Sequence, residues 1–406
     1  MKILHTADWH LGKRLGDYSR LAEQQQVLDE ICHVAEQESV DVVLVAGDLF
    51  DTFNPSNEAA ELFYRTVHRL SANGSRAVVA IAGNHDSPDR VEAPNPLARE
   101  CGIILVGRPS TVVPQFTTDA GIRVLQAEPG FVELAVPGAA YPLRLILTPY
   151  ANETTLKRYL GDEDRDQNLR DVLQKDWQRL ADADCDDSGV NILMAHLYVM
   201  QRHGLAPEEP DDEKPILHLG GASAIFTEDI PVPVQYVALG HLHRYQTVAE
   251  QPCPICYSSS PLAYSFSEVK QQKQVVILEV EPGKTPQPRA VPLHAGRTLH
   301  RKRFDNPEDA LRWLQAHPDT YVELTLVSDS YLESQVKRAF YQAHDGIVSI
   351  IPEIASEADE SEASRIDLSK DLRSLFADYF RQRRGQDPHG ELLTLLDEVI
   401  GADVDE

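Results

Sequence analysis

The sequence predicts an α/β fold in which short buried strands end in polar, metal-binding side chains. Apolar runs occur at 3–4, 42–46, 78–82, 191–195 and 236–239, and uninterrupted runs of this kind are typical of strands that are buried on both faces. Each run is followed closely by Asp, Asn or His residues. In an open α/β sheet, ligands collect beyond the carboxyl ends of the strands. We therefore expect the five strand ends to converge in one crevice.

The polar clusters at these strand ends could supply a dinuclear metal centre. In chain order they are Asp8-x-His10, Gly47-Asp48-x-x-Asp51, Gly83-Asn84-His85-Asp86, His196 and Gly240-His241-x-His243. One Asp-x-His or Gly-Asp pair is usually a turn or a capped helix start, and a lone buried His is usually hydrogen-bonded core. Five such clusters in series favour the metal centre over those ordinary roles.

The ligand types indicate the chemistry of this centre. Two divalent ions about 3.5 to 4 Å apart can clamp a phosphodiester, activate a water and neutralise the leaving oxygen. Asp48 is the natural bridging carboxylate, because Gly47 allows a tight turn just before it. Imidazole, carboxylate and amide oxygen together suit Mn or Fe better than Ca or Mg. We expect two divalent metal ions, with Mn²⁺ preferred.

This series of motifs resembles the calcineurin-like metallophosphoesterases. The opening Ile3-Leu4-His5-Thr6-Ala7-Asp8-Trp9-His10-Leu11-Gly12 is further similar to the SbcD-type nuclease subunits of that family, and the match runs to about residue 280. The resemblance implies a β-sandwich flanked by helices, with a small α/β capping domain and a C-terminal helical pair.

The resemblance also implies a role for each residue of the series. One ion is bound by Asp8, His10, Asp48 and His243, and the other by Asp48, Asn84, His196 and His241. His85 is then the catalytic residue that binds neither metal. Because it follows Asn84 directly, its imidazole can face the scissile phosphate as a proton donor or transition-state stabiliser.

Two acidic residues are candidates to orient His85. Asp51, three residues after the bridging Asp48, can place a carboxylate beside the imidazole and favour its cationic form. Asp86 is the rival partner. For both acids the alternative role is capping of a helix N-terminus.

Two positions depart from the family pattern. Ser259 stands in Tyr257-Ser258-Ser259-Ser260-Pro261 where the family has glycine, and Ala195 precedes His196 where glycine is common. We expect any effect to fall on substrate positioning near the serine-rich turn, since every metal ligand is present.

Composition and cysteine usage are those of an intracellular enzyme. The 406 residues are 42% hydrophobic, without an apolar run of transmembrane length or an extended apolar signal segment. Five cysteines in no framework spacing fit a reducing compartment. The lone pair Cys253-Pro254-Ile255-Cys256 lacks the second pair of a zinc site, so we assign it no metal. We expect a cytoplasmic protein without a membrane association.

The net charge of −26 argues against non-specific binding of nucleic acid by the bulk surface. Much of the acidity lies in segments that read as solvated loops, at 162–166, 182–187, 208–213 and 353–362. A local basic strip for DNA could form from Lys13, Arg14, Arg20, Arg65, Arg69 and Arg76. The alternative is that a partner protein supplies most of the grip on DNA.

The chain divides into three predicted parts, which are a nuclease core at 1–282, a small α/β capping domain at 283–353 and a tail at 354–406. The boundary of the core is the Pro-rich stretch 282–292. The capping domain is predicted to contain a helix after Asn306-Pro307, a strand at 321–327, an amphipathic segment at 331–341 and a strand at 347–351.

The tail is predicted to form a helix, a break and a second helix after an acidic linker. The first apolar stripe contains Leu368, Leu372, Leu375, Phe376, Tyr379 and Phe380, the break Gly385, Pro388 and Gly390, and the second stripe Leu392, Leu395, Leu396 and Val399. Packing on the core is the alternative, but docking on a partner is favoured. The resemblance implies an SbcC-type coiled-coil ATPase bound through 364–406, in a complex with two copies of this chain. ATP hydrolysis must come from that partner, because the sequence has no Walker-type phosphate loop.

These features predict a Mn-dependent DNA nuclease subunit of a DNA repair complex. It would act as exonuclease and endonuclease on DNA ends and hairpins, by metal-activated water and without a covalent intermediate. A small-molecule phosphodiesterase or phosphomonoesterase is the alternative. A protein phosphatase is disfavoured because Thr52-Phe53 follows Asp51 where that branch has Arg-Gly. The complete ligand set disfavours a scaffold with a vestigial site.

Overall fold

The computed structural model describes residues 1–156, 165–204, 207, 224–328, 334–354, 372–384, 388, 392–393 and 396. The chain divides into two compact units, one formed by Met1–Leu326 with Leu332–Pro352 and the other by Val327–Tyr331 with Glu353–Glu406. Among the described helices, none has the length and apolar character needed to cross a membrane.

The described strands and helices alternate along most of the first unit. The strands are β1 (Lys2–Thr6), β2 (Arg14–Leu15), β3 (Tyr18–Ser19), β4 (Val42–Ala46), β5 (Ala77–Ile81), β6 (Ile103–Val106), β7 (Arg123–Glu128), β8 (Phe131–Ala135), β9 (Leu143–Thr148), β10 (Val190–His196), β11 (Val199–Met200), β12 (Ile225–Phe226), β13 (Tyr236–Gly240), β14 (Gln246–Ala249), β15 (Ile255–Tyr257), β16 (Gln274–Glu279), β17 (Arg289–Pro292), β18 (Thr298–Phe304), β19 (Thr320–Ser328) and β20 (Ile347–Ile354). The helices are α1 (Leu21–Gln37), α2 (Asn57–Leu70), α3 (Pro88–Glu92), α4 (Asn95–Ala98), α5 (Glu153–Leu156), α6 (Arg165–Asp184), α7 (Pro307–Ala316), α8 (Ser334–Ala343) and α9 (Leu372–Arg384).

Two mixed sheets form the core. Their strand orders are β17-β16-β1-β4-β5-β6 and β14-β15-β13-β10-β9-β8-β7. The central pairs are parallel, including β1 with β4, β4 with β5 and β10 with β13. Side chains of both sheets share one buried cluster, in which Ile3 and Leu44 of the first sheet lie with Ile192 and Tyr236 of the second. The core is therefore a β-sandwich, as predicted.

Helices cover the outer faces of the sandwich, which explains why its strands are apolar without interruption. Successive side chains of a strand point to opposite faces. In β4, Val42 and Leu44 belong to the cluster between the sheets, whereas Val43 and Val45 pack with α1 and α2. The second sheet is covered in the same way by α6, whose Trp177 is buried.

The predicted strands are present, but they belong to two sheets. The runs at 3–4, 42–46 and 78–82 lie in β1, β4 and β5 of the first sheet, and the other two lie in β10 and β13 of the second. The polar clusters consequently meet across the seam between two sheets and not along the edge of one open sheet.

The predicted basic strip is reduced by burial. Arg76 is buried, and its guanidinium donates to the carbonyls of Val40, Leu70 and Ala35 at 2.7, 2.9 and 3.2 Å. Arg20 is buried as well and pairs with Glu23. These two arginines hold the fold together and are not available to DNA.

The two cysteines of the Cys-x-x-Cys pair lie in different clusters. Cys253 packs in the apolar cluster under α6, and Cys256 packs between the two sheets. Both are free thiols, and burial raises the pKa of Cys253 to about 12. This burial fits an ordinary apolar role.

A small α/β module follows the core and has its own apolar cluster. Its sheet has the strand order β18-β19-β20, and Leu314 of α7, Val322 of β19 and Phe340 of α8 are fully buried together. Asn306 caps α7, where its side chain accepts from the amide of Glu308 at 2.8 Å. The four elements predicted between 306 and 351 are all present.

The described part of the tail is the helix α9. The rings of Phe376 and Phe380 lie 5.9 Å apart, as expected for residues four apart on one helix face, and Tyr379 is 53% exposed. The predicted acidic linker and most of the predicted second helix lie outside the described residues.

Candidate metal centre

The five polar clusters meet where the two sheets come together. Within the first sheet, the amide of Asp8 donates to the carbonyl of Gly47 at 3.0 Å. Between the sheets, His196 Nδ1 donates to the carbonyl of Ala46 at 2.9 Å, and the amide of His241 donates to Asp8 Oδ1 at 2.9 Å. Backbone groups thus fix the relative positions of ligands that are far apart in sequence.

All seven predicted metal ligands gather there, in two groups. Asp8, His10 and His243 place one ligand atom each within 4.8 Å of one another, and so do Asp48, His196 and His241. Asn84 joins the second group, with Oδ1 3.0 Å from His196 Nε2. Asp48 Oδ2 lies 3.5 Å from His10 Nε2 and 3.4 Å from His196 Nε2. This carboxylate therefore touches both groups, as a bridging ligand must.

The side chains fit divalent cations better than they fit one another. His10 Nε2 and His243 Nε2 face each other at 2.9 Å. Because His196 Nδ1 donates to Ala46, the Nε2 lone pair of neutral His196 points at the oxygens of Asn84 and Asp48. Within the described part of the chain, the buried atoms Asp8 Oδ2 and His10 Nδ1 have no hydrogen-bond partner. Burial of such atoms is costly, and cations would satisfy them.

Four of the ligand residues adopt left-handed backbone conformations. The φ angles are 55° for Asp8, 43° for His10, 47° for Asp48 and 105° for His241. A residue with a side chain pays roughly 1 to 3 kcal/mol for such a conformation and keeps it only when its surroundings enforce it. The strain is concentrated at the centre, which is typical of functional sites.

Glycines next to the ligands allow the loops to approach closely. A Cβ atom on Gly83 would lie 2.1 Å from Asp48 Oδ1, and one on Gly240 would lie 1.9 Å from the carbonyl oxygen of Ala46. Gly47, which was expected to permit a tight turn, has a φ of 92°. Any larger residue at these positions would displace a ligand loop.

His85 lies at the exposed edge of the centre and is oriented by a backbone carbonyl. Its Nδ1 donates to the carbonyl oxygen of Asp51 at 2.9 Å, and its amide donates to Asp48 Oδ1 at 3.0 Å. The Asp51 carboxylate, expected beside this imidazole, instead lies 3.6 Å from Lys13 Nζ and 3.9 Å from His10 Nδ1. A turn geometry of this kind cannot be deduced from residue spacing.

Asp86 has a role that neither hypothesis anticipated. Its carboxylate accepts from the amides of Leu49, Phe50 and Gly83 at 3.0, 2.9 and 2.8 Å. Burial raises the pKa of Asp86 to about 6, against the effect of these amides. The residue fastens the loop after β4 to the loop after β5, and so fixes Asp48 relative to Asn84.

Ser259 takes the conformation of the glycine that the family pattern has there. Its φ is 88°, which explains why glycine is usual. Its hydroxyl donates to the carbonyl of Ser260 at 2.8 Å and lies 3.1 Å from the carbonyl of His243. The serine thus adds polar contacts at a ligand residue in exchange for backbone strain.

Several residues around the centre were missed from the sequence. The Tyr150 ring lies 6.4 to 6.5 Å from those of His241 and His196. Tyr150 closely follows β9, the neighbour of β10, so its strand-end position was an available signal. Glu268 and Lys273 form a buried ion pair beside His243. Burial disfavours the carboxylate, but Lys273 and His243 outweigh it and lower the pKa of Glu268 to about 2.

Comparisons with known proteins agree with this geometry. The family model described as calcineurin-like phosphoesterase matches residues 1–245. The chain is 35% identical to the SbcD subunit of the nuclease SbcCD from Bacillus subtilis, over 98% of this chain and 97% of that protein. It is 32% identical to the corresponding SbcD subunit from Rhodobacter capsulatus, over 72% of this chain and 71% of that protein.

A solved structure of a dimetal phosphatase from Danio rerio is also similar. It shares 12% sequence identity with the chain, with a TM-score of 0.37, over 72% of this chain and 99% of that one.

The charge state of His196 leads to a prediction for the metal-free protein. Burial lowers its pKa, but the charge and hydrogen bond of Asp48 outweigh burial and raise the pKa from 6.5 to about 9. A raised folded-state pKa stabilises the fold fully below the unfolded value, and that stability is lost as pH rises through the folded value. In chelator, the melting temperature should therefore fall between pH 6.5 and about 9.

The matched measurement is the same titration on the metal-loaded protein. A bound cation replaces the proton on His196, so the fall should be smaller. Replacement of the exposed His33 by Ala should leave both curves unchanged. A metal-free melting temperature that rises across this interval would contradict the pairing of His196 with Asp48.

Proposed function

Because the chain belongs to the calcineurin-like phosphoesterases and, among them, to the SbcD nuclease subunits, we propose that it is a Mn²⁺-dependent DNA nuclease. The family makes it a metal-dependent phosphoesterase with a divalent-metal site. The observation that carries the proposal is the position of Asp48 between two ligand groups, with His85 at the exposed edge. Relatives named as SbcCD nuclease subunits, which align along the whole chain, support DNA as the substrate. The proposed activities are exonuclease and endonuclease cleavage of DNA ends and hairpins.

The proposed ligand sets share Asp48. One ion is held by Asp8, His10, Asp48 and His243, and the other by Asp48, Asn84, His196 and His241, in keeping with the two groups of ligand atoms. When bound, two divalent ions activate a water and neutralise charge on the phosphodiester. The mixture of imidazole, carboxylate and amide donors supports Mn²⁺.

His85 is proposed to deliver a proton to the leaving oxygen. A carbonyl oxygen can only accept, so the contact with Asp51 fixes a proton on His85 Nδ1 and leaves Nε2 as the atom that gains or loses a proton. The half-exposed position of the ring lets it meet the substrate. Asp51 contributes mainly through its backbone, and its carboxylate holds Lys13 near the same edge.

The proposed assembly contains an SbcC-type coiled-coil ATPase, two copies of this chain and DNA. The name SbcCD of the relatives denotes such a complex. In the proposed division of labour, 1–282 cleaves, 283–353 caps the site and 364–406 docks on the ATPase. The exposed apolar side chains of Phe53, Tyr64 and Leu97 support a contact between the two copies. A DNA repair role places the enzyme with the chromosome, in the bacterial cytoplasm.

Asp48→Asn should abolish cleavage and reduce metal content. An amide cannot neutralise two cations, so hydrolysis should fall by orders of magnitude. The assay uses the purified chain with and without Mn²⁺ on end-labelled duplex, hairpin and single-stranded DNA, beside bis(p-nitrophenyl) phosphate. Metal content is measured by mass spectrometry.

The exposed Asp119 provides the control, since Asp119→Asn should behave as the unaltered protein. Two metals and near-normal turnover in Asp48→Asn would refute the bridging role. Hydrolysis of the small diester without cleavage of any DNA would refute the nuclease and favour a small-molecule phosphodiesterase.

His85→Ala should keep both metals and DNA binding while it loses cleavage. General acid-base groups typically contribute ~10² to 10⁴ in rate, so single-turnover cleavage should slow by that factor. Asp51→Asn should have a far smaller effect, because the carbonyl that orients His85 remains. Loss of metal in His85→Ala, with full metal in Asn84→Ala, would show that these two residues have exchanged roles.

Deletion of 364–406 should abolish association with the ATPase but leave Mn²⁺-dependent hydrolysis intact. Each buried Leu or Phe contributes roughly 1.5 to 3 kcal/mol, so the apolar stripe of the tail can support a strong interface. Joint replacement of Leu372, Phe376 and Tyr379 by Asp should have the same effect, and Arg373→Asp should not. Co-purification and ATP-stimulated cleavage of duplex ends are the measurements.

The outcome that contradicts docking is a structural one. If the deletion lowers the melting temperature by several degrees and removes basal hydrolysis, then the tail belongs to the nuclease core.

A further inference from the structure

A buried ion pair lies behind the ligand residue His243. Glu268 is 1% exposed and Lys273 is 7% exposed, and the two side chains contact each other directly. Neither belongs to the strand ends that carry the ligands. Removal of two charges from water is costly, and a buried ion pair often stabilises a fold less than apolar side chains of similar size. The pair therefore needs an explanation other than stability.

Both members of the pair contact His243. Glu268 Oε1 lies 3.6 Å from His243 Nδ1, on the side of the ring opposite to Nε2, which faces His10. Lys273 Nζ donates to the backbone carbonyl of His243 at 2.8 Å and to Ser260 Oγ at 2.9 Å. One residue thus holds the imidazole and the other holds the backbone of the same ligand.

Further contacts fix the carboxylate itself. The amide of Tyr264 donates to Glu268 Oε1 at 3.1 Å, and the hydroxyl of Ser265 lies 3.4 Å from the same oxygen. Lys273 contacts the other oxygen, Oε2. The oxygen that faces His243 therefore has a defined position and cannot rotate away.

We propose that Glu268 and Lys273 are positioning residues for His243. Glu268 takes the Nδ1 proton of the imidazole in a hydrogen bond, which leaves the Nε2 lone pair directed into the first ligand group. Lys273 holds both the carboxylate and the His243 carbonyl in place. A carboxylate behind a histidine ligand fixes the tautomer and raises the basicity of the ring. This inference rests on the proposed metal centre.

The test measures Mn²⁺ binding and not only activity. Titration calorimetry of the full-length chain should resolve two sites, and Glu268→Gln should weaken one of them by about 10- to 100-fold while the other stays unchanged. The Mn²⁺ concentration for half-maximal hydrolysis should rise by a similar factor, with turnover at saturating Mn²⁺ nearly restored. Lys273→Met should act in the same direction. Glu323→Gln, in the exposed pair with Arg301, is the matched control.

A purely structural pair would behave differently. Unchanged affinity at both sites in Glu268→Gln, whatever its melting temperature, would overturn the proposal. If that variant does not fold, the double variant Glu268→Gln with Lys273→Met leaves no unpaired buried charge and is measured in the same way. Normal affinity in the double variant, or its failure to fold, would assign the pair to the fold.

The unaltered protein separates this inference from the proposed function. If it binds two Mn²⁺ ions but cleaves no DNA, the nuclease proposal fails and the positioning role is still tested by the variants. If it binds no Mn²⁺, the metal centre itself is refuted, and the positioning role with it.

Discussion

The hydrogen bond from His196 to the carbonyl of Ala46 joins the two sheets at the point where function resides. It ends a strand of one sheet against a strand of the other, and it sets the tautomer of a ligand in the same contact. The left-handed turns at Asp8 and Asp48, the missing Cβ of Gly47 and the approach of Gly240 to Ala46 all serve this close meeting of strand ends. The rest of the sandwich keeps these ends in register.

Motif order was enough to predict the site, and composition was enough to predict buried strands. Asp8 to His243 could be named because ligand chemistry restricts residue types and because strand ends are marked by a change from apolar to polar. The sequence could not separate one sheet from two, since a strand buried on both faces has the same pattern in either. It also could not show that the Asp51 carbonyl orients His85, or that Glu268 stands behind His243. Those contacts depend on turn geometry and on partners distant in the chain.

The strong negative charge acquires a different meaning beside this site. Acidic residues in exposed segments repel DNA from most of the surface, while the described part of the chain buries Arg20 and Arg76 in the fold. The positive charge nearest the reaction then comes from bound cations and from Lys13, which lies 3.6 Å from Asp51. Productive contact with a polyanion is thereby restricted to the metal-loaded edge and to surfaces that a partner provides.

The contact between His10 and His243 spans 233 residues of chain. Contacts of such sequence separation form only after the intervening chain has been ordered. During synthesis, a ribosome-bound chain has the first histidine long before the second, so the first ligand group cannot close until the greater part of the protein has been made. A nuclease assembled in this order is inert as a nascent chain. The topology itself delays the appearance of an enzyme that attacks DNA until its core is complete.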